Sequence, residues 1–123
     1  RAYLAAVILA GSVLEGLCLG HGREHAERVR HAYEQVRRKP PSPLERWKLS
    51  EWIDVLGYLG DLTPNVKTFG HHLREFRNYV HPAEQLAQRF TPDQHTALIG
   101  FHVVVAAIES LVRASESQKA GAP

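Results

Sequence analysis

Three Ser/Thr-Pro steps, Ser42-Pro43, Thr63-Pro64 and Thr91-Pro92, divide this chain into segments that each open like a helix. In every step a hydroxyl stands where an N-cap is needed. A proline follows at the first helical position, where its missing N–H costs nothing. Ser42-Pro43-Leu44-Glu45 has the S-x-x-E spacing of a capping box, and Thr91-Pro92-Asp93-Gln94 has the T-x-x-Q version. No segment alternates apolar and polar residues with period two, and no Asn-Gly or Asp-Gly hairpin turn occurs. The stops are Gly20 and Gly22, Lys39-Pro40-Pro41, Gly60 and Pro82. The expected fold is therefore all-α, a small antiparallel bundle of four to five helices over 2–19, 23–38, 43–59, 64–80 and 92–115. Residues 1–115 read as one domain, and residues 116–123 as a frayed polar tail.

Apolar residues make up 44% of the 123 and charged residues 23%, which excludes a disordered chain. The net charge of +2 is too mild to mark a nucleic-acid binder by itself. A single cysteine, Cys18, excludes an intramolecular disulfide framework or a multi-cysteine metal site and points to a reducing, cytoplasmic setting. Arg1 followed by an apolar run resembles a secretory leader. The run over residues 3–10 is too short for a bilayer, which takes about 20 apolar residues. Gly11, Ser12, Glu15 and Gly16 then interrupt it. The expectation is a buried central helix and no membrane role. The fifth segment, with Leu98, Ile99, Phe101, Val103, Val104, Val105, Ile108, Leu111 and Val112, is nearly as apolar. A bundle this small has room for one fully enclosed helix, so a second copy is expected to cover an apolar face as a homodimer.

The second segment, Arg23–Lys39, carries six basic residues against three acids, a local charge of +3 where the remainder sums to −1. Two readings follow. One is a solvated face laced by Glu24–Arg28 and Glu34–Arg38 pairs. The other is a phosphate-contacting surface ending in Arg37, Arg38 and Lys39.

The most informative stretch is His71-His72-Leu73-Arg74-Glu75-Phe76-Arg77-Asn78-Tyr79-Val80-His81-Pro82. Val66, Phe69, Leu73, Phe76 and Val80 recur at spacings of 3, 4, 3 and 4, an apolar stripe expected to face the core. Lys67, His71, Arg74, Asn78 and His81 form a second, polar stripe. Arg77 and His81 stand at i and i+4 and can meet on one helical surface. Pro82 drives His81 out of helical conformation and so to the helix terminus, whose free carbonyls favour the imidazolium. An imidazole poised near neutrality beside guanidinium groups suits proton transfer with stabilisation of a phosphate oxyanion. The plain alternative is a histidine that caps carbonyls beside an ion-paired arginine.

Arg77-Asn78-Tyr79-Val80-His81-Pro82, near the end of a long helix in a small helical chain, resembles the R-N-x-x-H-P form of HEPN-domain proteins. The opening apolar segment, residues 7–17, with Glu15 within it, is similar to the first helix of some of those families. The resemblance covers the helix order over most of residues 1–115. It implies a helical bundle that dimerises and brings two Arg/His motifs together at a cleft, acting on or binding RNA or nucleotides. Many members are metal-independent ribonucleases of toxin–antitoxin, abortive-infection or related defence systems. Others are inactive binding modules, often paired with a nucleotidyltransferase protein. The family's best-known catalytic pattern separates Arg and His by four to six residues. Here three residues separate Arg77 from His81 and six separate Arg74 from His81, with Glu75 after Arg74 where Asn, Asp or His is more usual. In one reading Arg74 and His81 are the catalytic pair with Arg77 auxiliary. In the other, Arg77, Asn78 and His81 are a structural clasp and no nuclease results. For a ribonuclease, His81 is the general base toward a ribose 2′-hydroxyl, Arg77 and Arg74 stabilise the phosphorane, Asn78 orients and Tyr79 stacks or binds phosphate. Glu15, the lone charge on an apolar helix, needs a buried partner, for which Arg77 is the candidate.

The remaining chemistry-bearing residues form no constellation. His21 and His25 at i,i+4 have metal-clamp spacing but neither an H-E-x-x-H pattern nor a cysteine partner, so neither a metal nor any cofactor is expected. His31, His95 and His102 read as surface residues. Trp47 and Trp52 read as the packed face of the third helix, and Cys18 as a small core residue. Phosphate-loop, dinucleotide-fold and nucleophile-elbow patterns are absent.

Overall fold

The first helix does not stop at its glycines. In the computed structural model, which describes residues 2–78 and 93–121 with side chains for 2–72, 74 and 93–119, α1 spans Ala2–Glu24. It runs through Gly20 and Gly22 and breaks at His25, the only residue between it and α2 (Ala26–Arg37). Gly22 serves packing instead. A methyl group there would stand 2.3 Å from Cη2 of Trp52, so the glycine lets the indole of α3 lie against the helix backbone.

α2 ends with Arg38 in the left-handed region (φ 58°), its N–H bonded to the Glu34 carbonyl. The Ser42-Pro43 step does not open a long helix. Pro43 is extended (ψ 140°), Leu44–Arg46 make a single 3-10 turn, and Trp47 is extended again (ψ 136°). The cause is the aromatic stack. Trp47 must turn inward between Tyr33 and Trp52, with ring centroids 4.6 and 4.3 Å away, and its Nε1–H then donates to the Ser42 carbonyl at 2.9 Å. α3 therefore starts late, as Leu49–Leu59, with Glu51 reaching back to accept the Lys48 N–H at 2.9 Å. Gly60 closes it at φ +79°, the left-handed cap that only glycine adopts freely.

Thr63-Pro64 does open a helix. α4 spans Pro64–Asn78, with Thr63 Oγ1 accepting the Val66 N–H. Thr91-Pro92 lies outside the described residues. α5, Gln94–Gly121, is capped by Asp93, whose carboxylate accepts from the Thr96 N–H (2.8 Å) and hydroxyl (3.0 Å). α5 keeps its helix through residues 116–121, where a frayed tail was expected. Glu, Gln, Lys and Ala are good helix formers, and polarity alone does not unwind them.

The molecule is thus an all-helical bundle, with no strand among the described residues. α1 packs against every other helix, α5 above all. Its expected full burial is not found. The stripe Val7, Gly11, Leu14, Cys18 and His21, at spacings of 4, 3, 4 and 3, is covered together with Gly22, while Leu9 is 63% exposed. α5 likewise buries Val103, Ala107, Ser110 and Leu111 and leaves Ile99, Phe101, Ile108 and Val112 outside. Four neighbouring segments cannot wrap both long helices. Each is also long and apolar enough to cross a membrane, and 28% of each apolar window is buried in the bundle.

The helix glycines should respond to alanine with opposite signs. Gly22→Ala, colliding with Trp52, should cost about 1–3 kcal/mol. Gly16→Ala and Gly20→Ala meet nothing within 4 Å and should gain about 0.5–1 kcal/mol. Urea unfolding of the three variants checks the ordering.

Candidate functional site

Two polar clusters hold the bundle together, and both are built on an aspartate. The first is Asp61, placed by the Gly60 cap. With Gly60 left-handed, the Asp61 and Leu62 N–H groups both return to the Leu56 carbonyl, and the Asp61 side chain turns into the interior. Its Oδ2 accepts from His21 Nε2 at 2.8 Å and from Arg28 Nη1. Arg28 Nη2 also reaches the Leu59 carbonyl at 3.4 Å. Ser110 of α5 donates to the Asp61 carbonyl at 2.7 Å and accepts the Thr63 N–H at 3.2 Å. The other ring nitrogen of His21, Nδ1, lies 3.4 Å from Ser115 Oγ. His25 Nε2 lies 3.3 Å from the same hydroxyl, and the two imidazole rings are 4.6 Å apart.

Burial alone pushes the Asp61 carboxyl up, but hydrogen bonds from His21 and Arg28 and the Arg28 charge hold it below the usual aspartate value. Desolvation and the neighbouring His21 hold the His25 imidazole below its ordinary value, against the pull of Asp61 and Glu24. The His21/His25 pair is therefore spent on hydrogen bonding. Among the described residues no three His, Cys, Asp or Glu are placed to hold a metal.

The second cluster is Asp54 on α3. Its Oδ2 accepts from Arg37 Nη2 at 2.8 Å, and its Oδ1 stands 3.0 Å from His71 Nε2, all three side chains about one-third exposed. This cluster corrects the expected orientation of α4. Val66 is buried, but Phe69, placed in the core stripe by its spacing, is 48% exposed. The helix instead turns the face of Val66 and Gly70 inward. A methyl at Gly70 would touch Ile53 at 3.1 Å and Leu14 at 3.7 Å, so α4 approaches most closely at the glycine. The polar stripe then lies along α3: the stem of Lys67 covers Gly57, His71 meets Asp54, and Arg74 is half-buried.

The expected site residues distribute as follows. Arg74, like Arg37, keeps a buried Nε without a hydrogen-bond partner among the described residues. Arg77 and Asn78 occupy the last turn of α4, and their side chains lie outside the described residues, as do Tyr79, His81 and Pro82 entirely. Glu15 is half-buried on α1, and its expected pairing with Arg77 also falls outside the described residues. Of the basic run, Arg37 is committed to Asp54, while Arg38 and Lys39 are exposed. Arg28 reaches Asp61 and not Glu24, and no Glu34–Arg38 pair forms among the described residues. The Arg23–Glu45 (3.5 Å) and Arg30–Glu27 (3.9 Å) pairs are exposed and contribute little. His31, His95 and His102 are exposed, as expected. Cys18 is fully buried, and burial, with the Glu15 charge, pushes its thiol up to about 12. Asp61, Ser110 and Ser115 were not singled out from sequence, and Arg28 only as a partner of Glu24. The available signal was Ser110, a lone hydroxyl inside the apolar run of α5.

No family model matches this chain, and no curated protein or solved structure is similar to it.

The depressed Asp61 value fixes a sign. The folded carboxylate holds its proton less tightly than the unfolded one, so its contribution is present above about pH 4 and is lost as pH falls through the folded value. Asp61→Asn should flatten that acid limb in urea titrations. At pH 7 it should cost about 3 kcal/mol, because His21 and Arg28 lose a buried partner.

Proposed function

We propose that the chain is a HEPN-like helical module that takes RNA or a nucleotide at the C-terminal end of α4 and works as a pair of copies. The observation that carries this reading is Arg74. Its guanidinium lies one turn before the Arg77-Asn78 pair on a helix that reaches Asn78, half-buried, with its Nε without an acceptor among the described residues. A guanidinium takes phosphate oxygens through its N–H fork. In this reading His81 takes the 2′-hydroxyl proton, the 2′ oxygen attacks phosphorus and the bond to the 5′ oxygen breaks. Arg74 and Arg77 offset the charge that develops, and Asn78 orients. The chemistry is that of a metal-independent endoribonuclease of a toxin–antitoxin or defence system.

A second reading is a catalytically inactive dimeric interaction module, or a nucleotidyltransferase partner, with the Arg/His residues as a helix clasp. It is favoured by the outward apolar faces of α1 and α5. The α4–α5 groove lined by Val66, Phe69, Ile99 and Val103, about 460 Å³, continues the α5 face.

Incubation of single-stranded RNA with the protein in excess EDTA separates the two. The first reading expects cleavage, lowered at least about 100-fold by His81→Ala; a requirement for a divalent ion removes that mechanism. The second expects no cleavage and a dimer by sedimentation. Under either, Phe101→Glu, at a 60% exposed position, should yield monomers with an unchanged melting temperature.

A further inference from the structure

At the opposite end of α4, roughly 22 Å from Asn78 at 1.5 Å per residue, lies a recess that the reading above does not use. It is about 310 Å³ in volume and opens between α2, the α3–α4 turn and α5. Its polar lining includes Arg28, Asp61, Ser110, Arg113, Ser117 and Gln118. The balance of donors and acceptors is lopsided. The only carboxylate, Asp61, already accepts from His21 and Arg28. The Ser110 hydroxyl is spent on the Asp61 carbonyl and the Thr63 N–H. Arg113 forms no ion pair among the described residues and is exposed. Two guanidinium groups from different helices thus face a recess whose carboxylate is already taken. One of them, Arg28, is held in place by Asp61 and the Leu59 carbonyl and needs no reordering on binding.

We infer that this recess binds the phosphoryl group of a small phosphomonoester between Arg28 and Arg113. A single carboxylate is satisfied by one guanidinium fork. A phosphomonoester presents close to two negative charges and three acceptor oxygens at neutral pH, enough for both arginines and the Ser117 hydroxyl. The site is independent of the motif on α4 and stands or falls without it.

The test is titration of the full chain with inorganic phosphate at constant ionic strength, followed by amide NMR. Saturable shifts are expected at Gly60, Thr63 and Ser117. Arg113→Ala should weaken binding about ten-fold or more, by loss of one charge-assisted contact. Its melting temperature should hold, because Arg113 is exposed and unpaired. Arg46→Ala, on an exposed cation of the 3-10 turn, should leave the affinity unchanged. Dimethyl phosphate, a monoanionic diester, should bind about ten-fold more weakly than phosphate. Non-saturating shifts, equal losses in the two arginine variants, or equal binding of the diester would overturn the assignment.

Discussion

A single buried carboxylate organises the corner where α1, α2, the α3–α4 turn and α5 meet. Asp61 is 3% exposed and accepts from both His21 and Arg28. Taking a carboxylate out of water is costly, and the cost is offset only when its oxygens are fully engaged. That requirement constrains the chain around it. α1 has to end where His21 points inward, and α2 has to start so that Arg28, two turns later, returns to the same oxygen. His25 is the residue left to absorb the bend. Ser110 and Ser115 tie α5 to the same corner through the Asp61 carbonyl and the two imidazoles. A neutral core of equal volume could match such a cluster in stability. What the cluster supplies is register, because shifting α2 by one residue takes Arg28 away from Asp61.

Around that corner the helices close wherever a side chain is missing. Gly22 admits the Trp52 ring, Gly57 lies under the stem of Lys67, and Gly70 meets Ile53 and Leu14. Large aromatics fill what remains, with Tyr33, Trp47 and Trp52 in a tilted stack. The Tyr33 hydroxyl donates to Glu51 at 2.6 Å, the same carboxylate that caps α3. Core packing and helix capping are one structure here.

α4 joins the two proposed activities. Its start frames a donor-rich recess, and its end carries the Arg-Asn motif. Its middle is clamped to α2 and α3 through Asp54. The clamp engages Arg37 and His71, and Arg37 and Arg74 each keep a buried Nε without a partner among the described residues.

The helical class, and the five α-helices of the described residues, were legible because proline, glycine and capping side chains act locally. Thr63-Pro64 opens α4 and Gly60 closes α3 whatever the rest of the chain does. That Arg77 and Asn78 lie on the fourth helix was legible for the same reason. Choices that depend on distant partners were not. Gly22 read as a stop because its neighbours in sequence do not include Trp52. Ser42-Pro43 read as a long helix start because nothing nearby shows that Trp47 must turn inward. Phe69 read as core because periodicity ranks side chains by hydrophobicity, whereas α4 was oriented by how closely Gly70 can approach. The buried pairing of Asp61 with His21 and Arg28 joins residues more than thirty positions apart, and only folding brings those charges out of water together.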